Sequence, residues 1–232
     1  NTVTALSEGI ARKLGLSEPE IDTITTAAQL HDIGKIGIPD IVLLKDTDEL
    51  TPDEMEEYTK HPVRGQAAVD PVEELREAGM LIRSHHEWYD GNGFPDRLSG
   101  SKIPLGSRII AIADKLDRLT SGGTGKLSIE SALNVIKSLS GIQFDPELYG
   151  MLHEVAREKI TIDAGAADAA EVELRPKDLM PGLIVSRDVR TGTGLLLLRK
   201  GMTLNERNIE TMKRGYHIDP SKSGIFVWKR KK

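Results

Sequence analysis

Two adjacent histidines, in Ser84-His85-His86-Glu87-Trp88-Tyr89-Asp90-Gly91-Asn92-Gly93-Phe94-Pro95, constrain the folding of this chain more than any other feature. An acid and a glycine-rich turn follow them at once. That pattern suits a metal centre, and a metal centre needs ligands brought from elsewhere in the chain. Candidates are present: His31-Asp32 is a second pair, His61 stands alone, and Asp114 and Asp117 lie one helical turn apart. Four of the six histidines fall between positions 31 and 86. The chain has no cysteine, which excludes a structural zinc site built on thiolates. Imidazole with carboxylate suits iron, manganese, nickel or zinc. A carboxylate with an oxygen to spare can bridge two such ions, and a bridged pair forms a centre for in-line displacement at phosphorus.

Composition narrows the class. At 232 residues and 25.5 kDa the chain holds one large domain, or one medium and one small domain. A net charge of −5 gives no general attraction for nucleic acid, so DNA is not an expected partner. The basic end, Lys229-Arg230-Lys231-Lys232, reads as a solvated tail. No apolar run is long enough to span a bilayer and no signal peptide is visible. With no disulfide available, the expected location is cytoplasmic. The chain starts at Asn1 rather than Met, so an upstream segment is expected.

The fold class read from the pattern is mainly α: an all-α helical domain over 1–160, a small-residue linker over 161–170, and a small α+β domain over 171–232. Val3, Leu6, Ile10 and Leu14 have helical spacing. Ser17 with Glu20 forms a capping box for a second helix over 17–31. Thr51-Pro52-Asp53-Glu54 starts a helix predicted to carry His61. A helix over 69–87 is predicted to deliver His85 and His86 at its end. Residues 90–104 read as a loop, and 104–119 as a strongly apolar helix carrying Asp114 and Asp117. Helices over 128–140 and 145–158 complete the domain. Further on, 182–185 and 195–198 read as strands with a Thr191-Gly192-Thr193-Gly194 turn between them, 205–214 as a helix, and 224–228 as a final strand.

His31-Asp32-Ile33-Gly34-Lys35 resembles the HD superfamily of metal-dependent phosphohydrolases. The longer series resembles its HD-GYP family. It comprises Ile36-Gly37-Ile38-Pro39-Asp40, His61-Pro62, His85-His86-Glu87 with residues 90–95, residues 103–108, Ala113-Asp114, Leu119-Thr120-Ser121 and Gln143-Phe144-Asp145-Pro146. The match covers about residues 3–158. The resemblance implies an HD-type helical fold and a cyclic di-GMP phosphodiesterase with two or three divalent ions, iron or manganese. It also implies an upstream sensor or receiver domain and GGDEF-type or other signalling partners. The oligomeric state is left open, a dimer included. Some features depart from the family. Gly-Tyr-Pro is Gly93-Phe94-Pro95 here. The arginine-containing segment after Thr120-Ser121 is replaced by Gly122-Gly123-Thr124-Gly125-Lys126, leaving Lys126 as its one cation for substrate phosphate. A further family His falls just upstream of Asn1.

The resemblance assigns roles residue by residue. Asp32 is the expected bridging ligand. His31 and Asp114 complete one metal, while His61, His85 and His86 serve the other or a third. Lys35, with Asp32, is the expected catalytic pair, Lys35 neutralising charge on a non-bridging oxygen or the leaving group. Asp117 orients a ligand or pairs with Arg118, and Trp88 and Tyr89 are candidates for stacking on a guanine. Two other readings stand beside hydrolysis of cyclic di-GMP. One is a metal-containing module that binds nucleotide or a protein partner without turnover. The other is an HD hydrolase of a different phosphoester.

Overall fold

The spacing of Val3, Leu6 and Ile10 becomes helix α1 (Thr2–Lys13) in the computed structural model of the protein, with all three side chains buried. The structure describes residues 2–45, 47–121, 126–167, 169–219 and 224–230. Gly122-Gly123-Thr124-Gly125 and the last two tail residues, Lys231 and Lys232, therefore lie outside the described residues. The chain divides into two units, Asn1–Ala156 and Arg157–Lys232.

In the first unit Gly15, at φ 73°, reverses the chain into α2 (Glu18–Leu30). The expected capping box is present on its acidic side: Glu20 accepts from the Ser17 backbone N–H at 2.9 Å and from its hydroxyl at 2.6 Å. A single tight turn, Ile33–Lys35, follows His31-Asp32, then a short helix α3 (Asp40–Leu43) and α4 (Pro52–Tyr58). Here the structure corrects two expectations. His61 is not carried by the helix that starts at Pro52; it opens a separate helix, α5 (His61–Val69), with Pro62 in the first turn, where its missing N–H costs nothing. The helix expected over 69–87 is the shorter α6 (Arg76–Arg83), and His85 and His86 sit in the turn beyond it. Pro71 accounts for the break, because it donates no backbone hydrogen bond to continue the ladder.

Helix α7 (Leu105–Ser121) is the axis of this unit. Ile109, Ile110, Ile112 and Ala113 are all 0% exposed, so apolar residues face neighbours on nearly every side, and α1, α2, α6 and α8 (Ile129–Ser138) pack on it. An ion pair from Arg108 to the buried Asp145 ties its first turn to the segment before α9 (Leu148–Ala167), and Asp145 also accepts the Glu147 N–H at 2.9 Å. Helix α9 runs beyond the expected end at 158. The stretch at 161–170 is not a linker but the end of this helix and the start of strand β1 (Ala169–Leu174). Ala164, Ala166 and Ala167 favour helix strongly enough to offset Gly165.

In the second unit, β1 pairs antiparallel with β5 (Ile225–Arg230), and β5 with β2 (Ile184–Val185), giving the order β1-β5-β2. Strands β3 (Val189–Arg190) and β4 (Leu196–Leu198) form a separate hairpin across the predicted turn, where Gly194 has φ 96°. Helix α10 (Glu206–Ile218) closes a core of Leu179, Val185, Leu198, Ile209, Met212 and Val227. No helix among the described residues is long and apolar enough to cross a membrane.

Candidate metal centre

The six predicted ligands arrive from four places in the first unit. His31 and Asp32 follow the last turn of α2, His61 opens α5, His85 and His86 follow α6, and Asp114 lies in the buried middle of α7. Three of the imidazoles are aimed by one local device. The Nδ1 of His31 lies 2.9 Å from the carbonyl of Ala28, that of His61 2.6 Å from Tyr58, and that of His85 2.6 Å from Ile82. A carbonyl oxygen only accepts, so each Nδ1 carries a proton and, in the neutral ring, each Nε2 presents a lone pair inward. This is the tautomer a metal ligand needs, fixed by the partner of the other nitrogen.

Glycine permits the close approach that assembles the ligands. A Cβ at Gly34 would stand 1.9 Å from the His61 carbonyl oxygen and 2.5 Å from the Gly65 nitrogen. Only a residue without a side chain lets the turn after Asp32 lie directly on the start of α5. As a result one oxygen from Asp32 and one nitrogen from each of His61, His85 and His86 lie within 4.8 Å of one another, the one such group found among the described residues. On the other side of Asp32, His31 Nε2 is 3.6 Å from Asp32 Oδ2 and 3.6 Å from Asp114 Oδ1. Asp32 thus faces both sets, with its Oδ1 3.8 Å from His61 Nε2.

The two sets differ electrostatically. Burial lowers His61 to about 4, with Lys35 adding to the effect, and lowers His85 to about 3, with His31 contributing. His86 is likewise held well below the ordinary histidine range, first by burial and then by His85 and His61. All three are neutral near pH 7. Partial burial opposes the charge on Asp32, but His31 and Lys35 outweigh it and keep the carboxyl low. Asp114 is also low: burial opposes its charge, while His31 and Arg118 favour it. His31 is raised, since Asp114 and Asp32 overcome its own burial. Four polar atoms in the centre, Asp32 Oδ1 and the Nε2 of His61, His85 and His86, are buried without a hydrogen-bond partner. Such orphaned buried groups are costly unless something else satisfies them. A divalent ion fits them: the donors are imidazole nitrogen and carboxylate oxygen, already in their ligating protonation states.

The neighbouring residues hold the walls. Lys35 Nζ sits 2.8 Å from Asp32 Oδ2 and 5.3 Å from the centroid of the Tyr58 ring. Glu87, buried beside the histidines, is not aimed at them; its carboxylate accepts the backbone N–H of Asp96 at 2.6 Å and of Leu98 at 3.0 Å, clamping the glycine-rich loop. In that loop a Cβ at Gly93 would meet the Trp88 nitrogen at 2.2 Å, so Gly93 lets the loop fold back on residues 86–88. Phe94 donates its N–H to the His86 carbonyl at 3.1 Å, and its ring lies 5.0 Å from the His86 ring. A cleft of about 430 Å³ opens from His85, His86 and Asp114 and is lined by Trp88, Lys115, Arg118 and Gln143 among others. Trp88 therefore reaches the cleft, whereas the Tyr89 N–H is bonded to the Gln143 carbonyl at 3.2 Å.

Two expectations change here. Arg118 pairs not with Asp117 but with Asp114, Nε to Oδ2 at 2.8 Å, and Asp117 instead accepts the Ser121 hydroxyl at 3.0 Å. A helix turn explains it: residues four apart face each other, and both Asp114 and Ser121 lie four from their partners. Lys126 is exposed and is not among the described residues lining the cleft. Sequence reasoning missed Tyr58, which reaches His61, Lys35 and Arg118 together. A lone aromatic at a helix end carries no signal of that kind.

Residues 1–148 match the model of the HD domain family. The chain is 43% identical over 141 residues to the cyclic di-GMP phosphodiesterase response regulator RpfG of Xanthomonas campestris, covering 59% of this chain and 37% of the relative. It is 38% identical over 159 residues to a cyclic di-GMP phosphodiesterase of Thermotoga maritima, covering 66% of this chain and 42% of the relative. Its fold resembles an HDG"Y"P protein from Bdellovibrio bacteriovorus with a TM-score of 0.58 at 24% identity, over 67% of this chain and 50% of that one. The chain belongs to the HD domain family, within its HD-GYP branch. It spans well under half the length of these two curated relatives.

Proposed function

We propose that this chain is the hydrolase unit of a cyclic di-GMP phosphodiesterase, opening the cyclic dinucleotide to linear pGpG and onward to GMP. The observation that carries the reading is the set of four buried, unpartnered ligand atoms on Asp32, His61, His85 and His86. Two or three divalent ions, iron or manganese, are the proposed cofactors. His31, Asp32 and Asp114 would hold one, and His61, His85 and His86, with Asp32 shared, the others. Bound there, such ions supply Lewis-acid charge at the phosphoryl group and lower the pKa of water.

The chain's own residues do the rest. The three backbone carbonyls keep the Nε2 lone pairs facing inward. Asp32 and Asp114, held ionised by their neighbours, keep two negative groups facing His31. Lys35, steadied by Asp32 and the face of Tyr58, is placed to neutralise a non-bridging phosphate oxygen or the departing alkoxide. In the net reaction one water adds: a new P–O bond forms to the water oxygen, the P–O3′ bond breaks, and the proton goes to the leaving oxygen. Lys126 is proposed as a weaker, outer contact for phosphate. The proposed partners are an upstream sensor or receiver domain and GGDEF-type signalling proteins, in the cytoplasm.

One observation favours a second reading, a module that keeps its metals and binds nucleotide or protein without turnover: Gly122-Gly123-Thr124-Gly125 contains no arginine. Both are tested by incubating anaerobically purified, metal-quantified full-length protein with cyclic di-GMP. Release of pGpG that disappears in Asp32→Ala is the expected result. Tight binding without product selects the second reading, and neither binding nor product selects a different phosphoester. One metal ion or fewer per chain sinks the shared-carboxylate centre.

A further inference from the structure

Beyond the metal ligands and Lys35, the proposed reaction lacks a group that grips the substrate phosphate, because Lys126 does not line the cleft. Helix α7 offers one. Arg118 follows Asp114 by one turn and lines the same cleft as His85, His86 and Asp114. Its guanidinium is fixed at one edge: Nε lies 2.8 Å from Asp114 Oδ2, and Nη1 lies 3.4 Å from the Tyr58 hydroxyl. Yet 38% of the side chain stays exposed. A guanidinium has five donors in a rigid fork, and these contacts occupy only part of it. Lys115, three residues earlier and so on the same helical face, lines the cleft too. Lys35 lies over the ring of Tyr58 and Arg118 reaches its hydroxyl, so one tyrosine beside the ligands is shared by two cations.

We propose that Arg118, with Lys115 beside it, is the phosphate-holding residue of this site. Asp114 and Tyr58 orient the guanidinium, and its free edge takes two oxygens of the incoming phosphodiester in the bidentate manner that arginine favours. The cation comes from the same helix that supplies a metal ligand, and not from the segment after Ser121. The assignment rests on the phosphodiesterase reading. Its rival is a purely positioning role, in which Arg118 does no more than orient Asp114.

The test uses metal-loaded full-length protein and the variants Arg118→Gln, Arg118→Lys and Lys115→Gln. Three quantities are read: metal ions per chain, affinity for inorganic phosphate by calorimetry, and KM and kcat for cyclic di-GMP and for bis(p-nitrophenyl) phosphate. Arg118→Gln is expected to weaken phosphate binding at least about tenfold and raise KM similarly for both substrates, at unchanged metal content. Arg118→Lys recovers part of this, and Lys115→Gln costs about threefold. Metal loss in Arg118→Gln that Arg118→Lys restores, along with full phosphate affinity, overturns the assignment in favour of positioning. Phosphate affinity within twofold of wild type in Arg118→Gln overturns it outright, as does a wild type that binds no phosphate. If Arg118→Gln does not fold, Arg118→Lys decides alone, since it keeps the charge beside Asp114 but lacks the fork. Arg118-dependent phosphate binding in a protein that never cleaves cyclic di-GMP would remove the proposed substrate and leave Arg118 in place. Cleavage that ignores Arg118 would do the reverse.

Discussion

The two sides of the candidate centre are built from the same residue types but satisfied in opposite ways. On one side His31 stands between Asp32 and Asp114, and Asp114 is answered by Arg118; every charge there has a protein neighbour. On the other, His61, His85 and His86 are neutral, and their buried Nε2 atoms face one another without a hydrogen-bond partner. The first side resembles an ordinary buried ion-pair network and could stand by itself. The second has no such explanation, because three lone pairs turned together are a cost without an ion. The neutral side is therefore where the structure speaks most directly for metal, and Asp32 links the two.

That contrast can be broken experimentally. The largest effect is expected for Asp32→Ala, which removes the residue common to both sides: metal content by elemental analysis falls below one ion per chain. Hydrolysis falls by more than about a hundredfold, given that loss of mere outer-sphere partners already costs 10–100-fold. Next, His31→Ala and His86→Ala should each remove a different ion, and the double variant should remove both; loss of the same single ion in each would merge the two sides into one site. Gly34→Ala should act on the neutral side through the backbone, since its Cβ must displace the His61 carbonyl. A loss of about 1–3 kcal/mol in urea unfolding is expected, with weaker metal binding, and wild-type metal affinity in a folded variant would count against it.

The smallest effect concerns pH in chelated protein. Unfolded histidine takes up its proton near pH 6.5, roughly, while folded His61 does so only at about 4 and His85 at about 3. Over that interval the unfolded state binds more protons, so stability falls as pH is lowered from about 6.5. His31 has the opposite sign: its raised value adds stability at low pH that is lost as pH rises through it. His61→Gln should flatten the decline, and an equal decline in that variant would remove His61 as its source.

The long amphipathic helices were readable because their periodicity is strong: α1, α2, α7 and α8 start and end near their predicted limits. The breaks were not. Lys60 to Pro62 and Asp70-Pro71 interrupt patterns that continue in apolar spacing on both sides, so His61 reads as part of the preceding helix and α6 reads as starting at 69. Strand β1, with Ala169, Ala170, Glu171 and Glu173, has too little β-forming character to be recognised, and exists by pairing with β5 far along the chain. In the centre the ligand candidates could be named because six residues, His31, Asp32, His61, His85, His86 and Asp114, stand in the order of one family's motifs. The role of Glu87 as a loop clamp and the contacts of Tyr58 and Arg118 were not legible, since each depends on segments that meet only in three dimensions.

The carbonyl that aims each of His31, His61 and His85 comes from the residue three positions before it, and it belongs to the backbone. Ala28, Tyr58 and Ile82 are all buried but differ in the size and chemistry of their side chains. The direction of the ligating nitrogen is thus set within a span of four residues and is indifferent to which side chain sits at its start. Ring orientation is in this sense heritable through mutation: a lineage can replace the residues that precede its histidines, adapting the surrounding walls to new ligands, without re-solving how the imidazoles point.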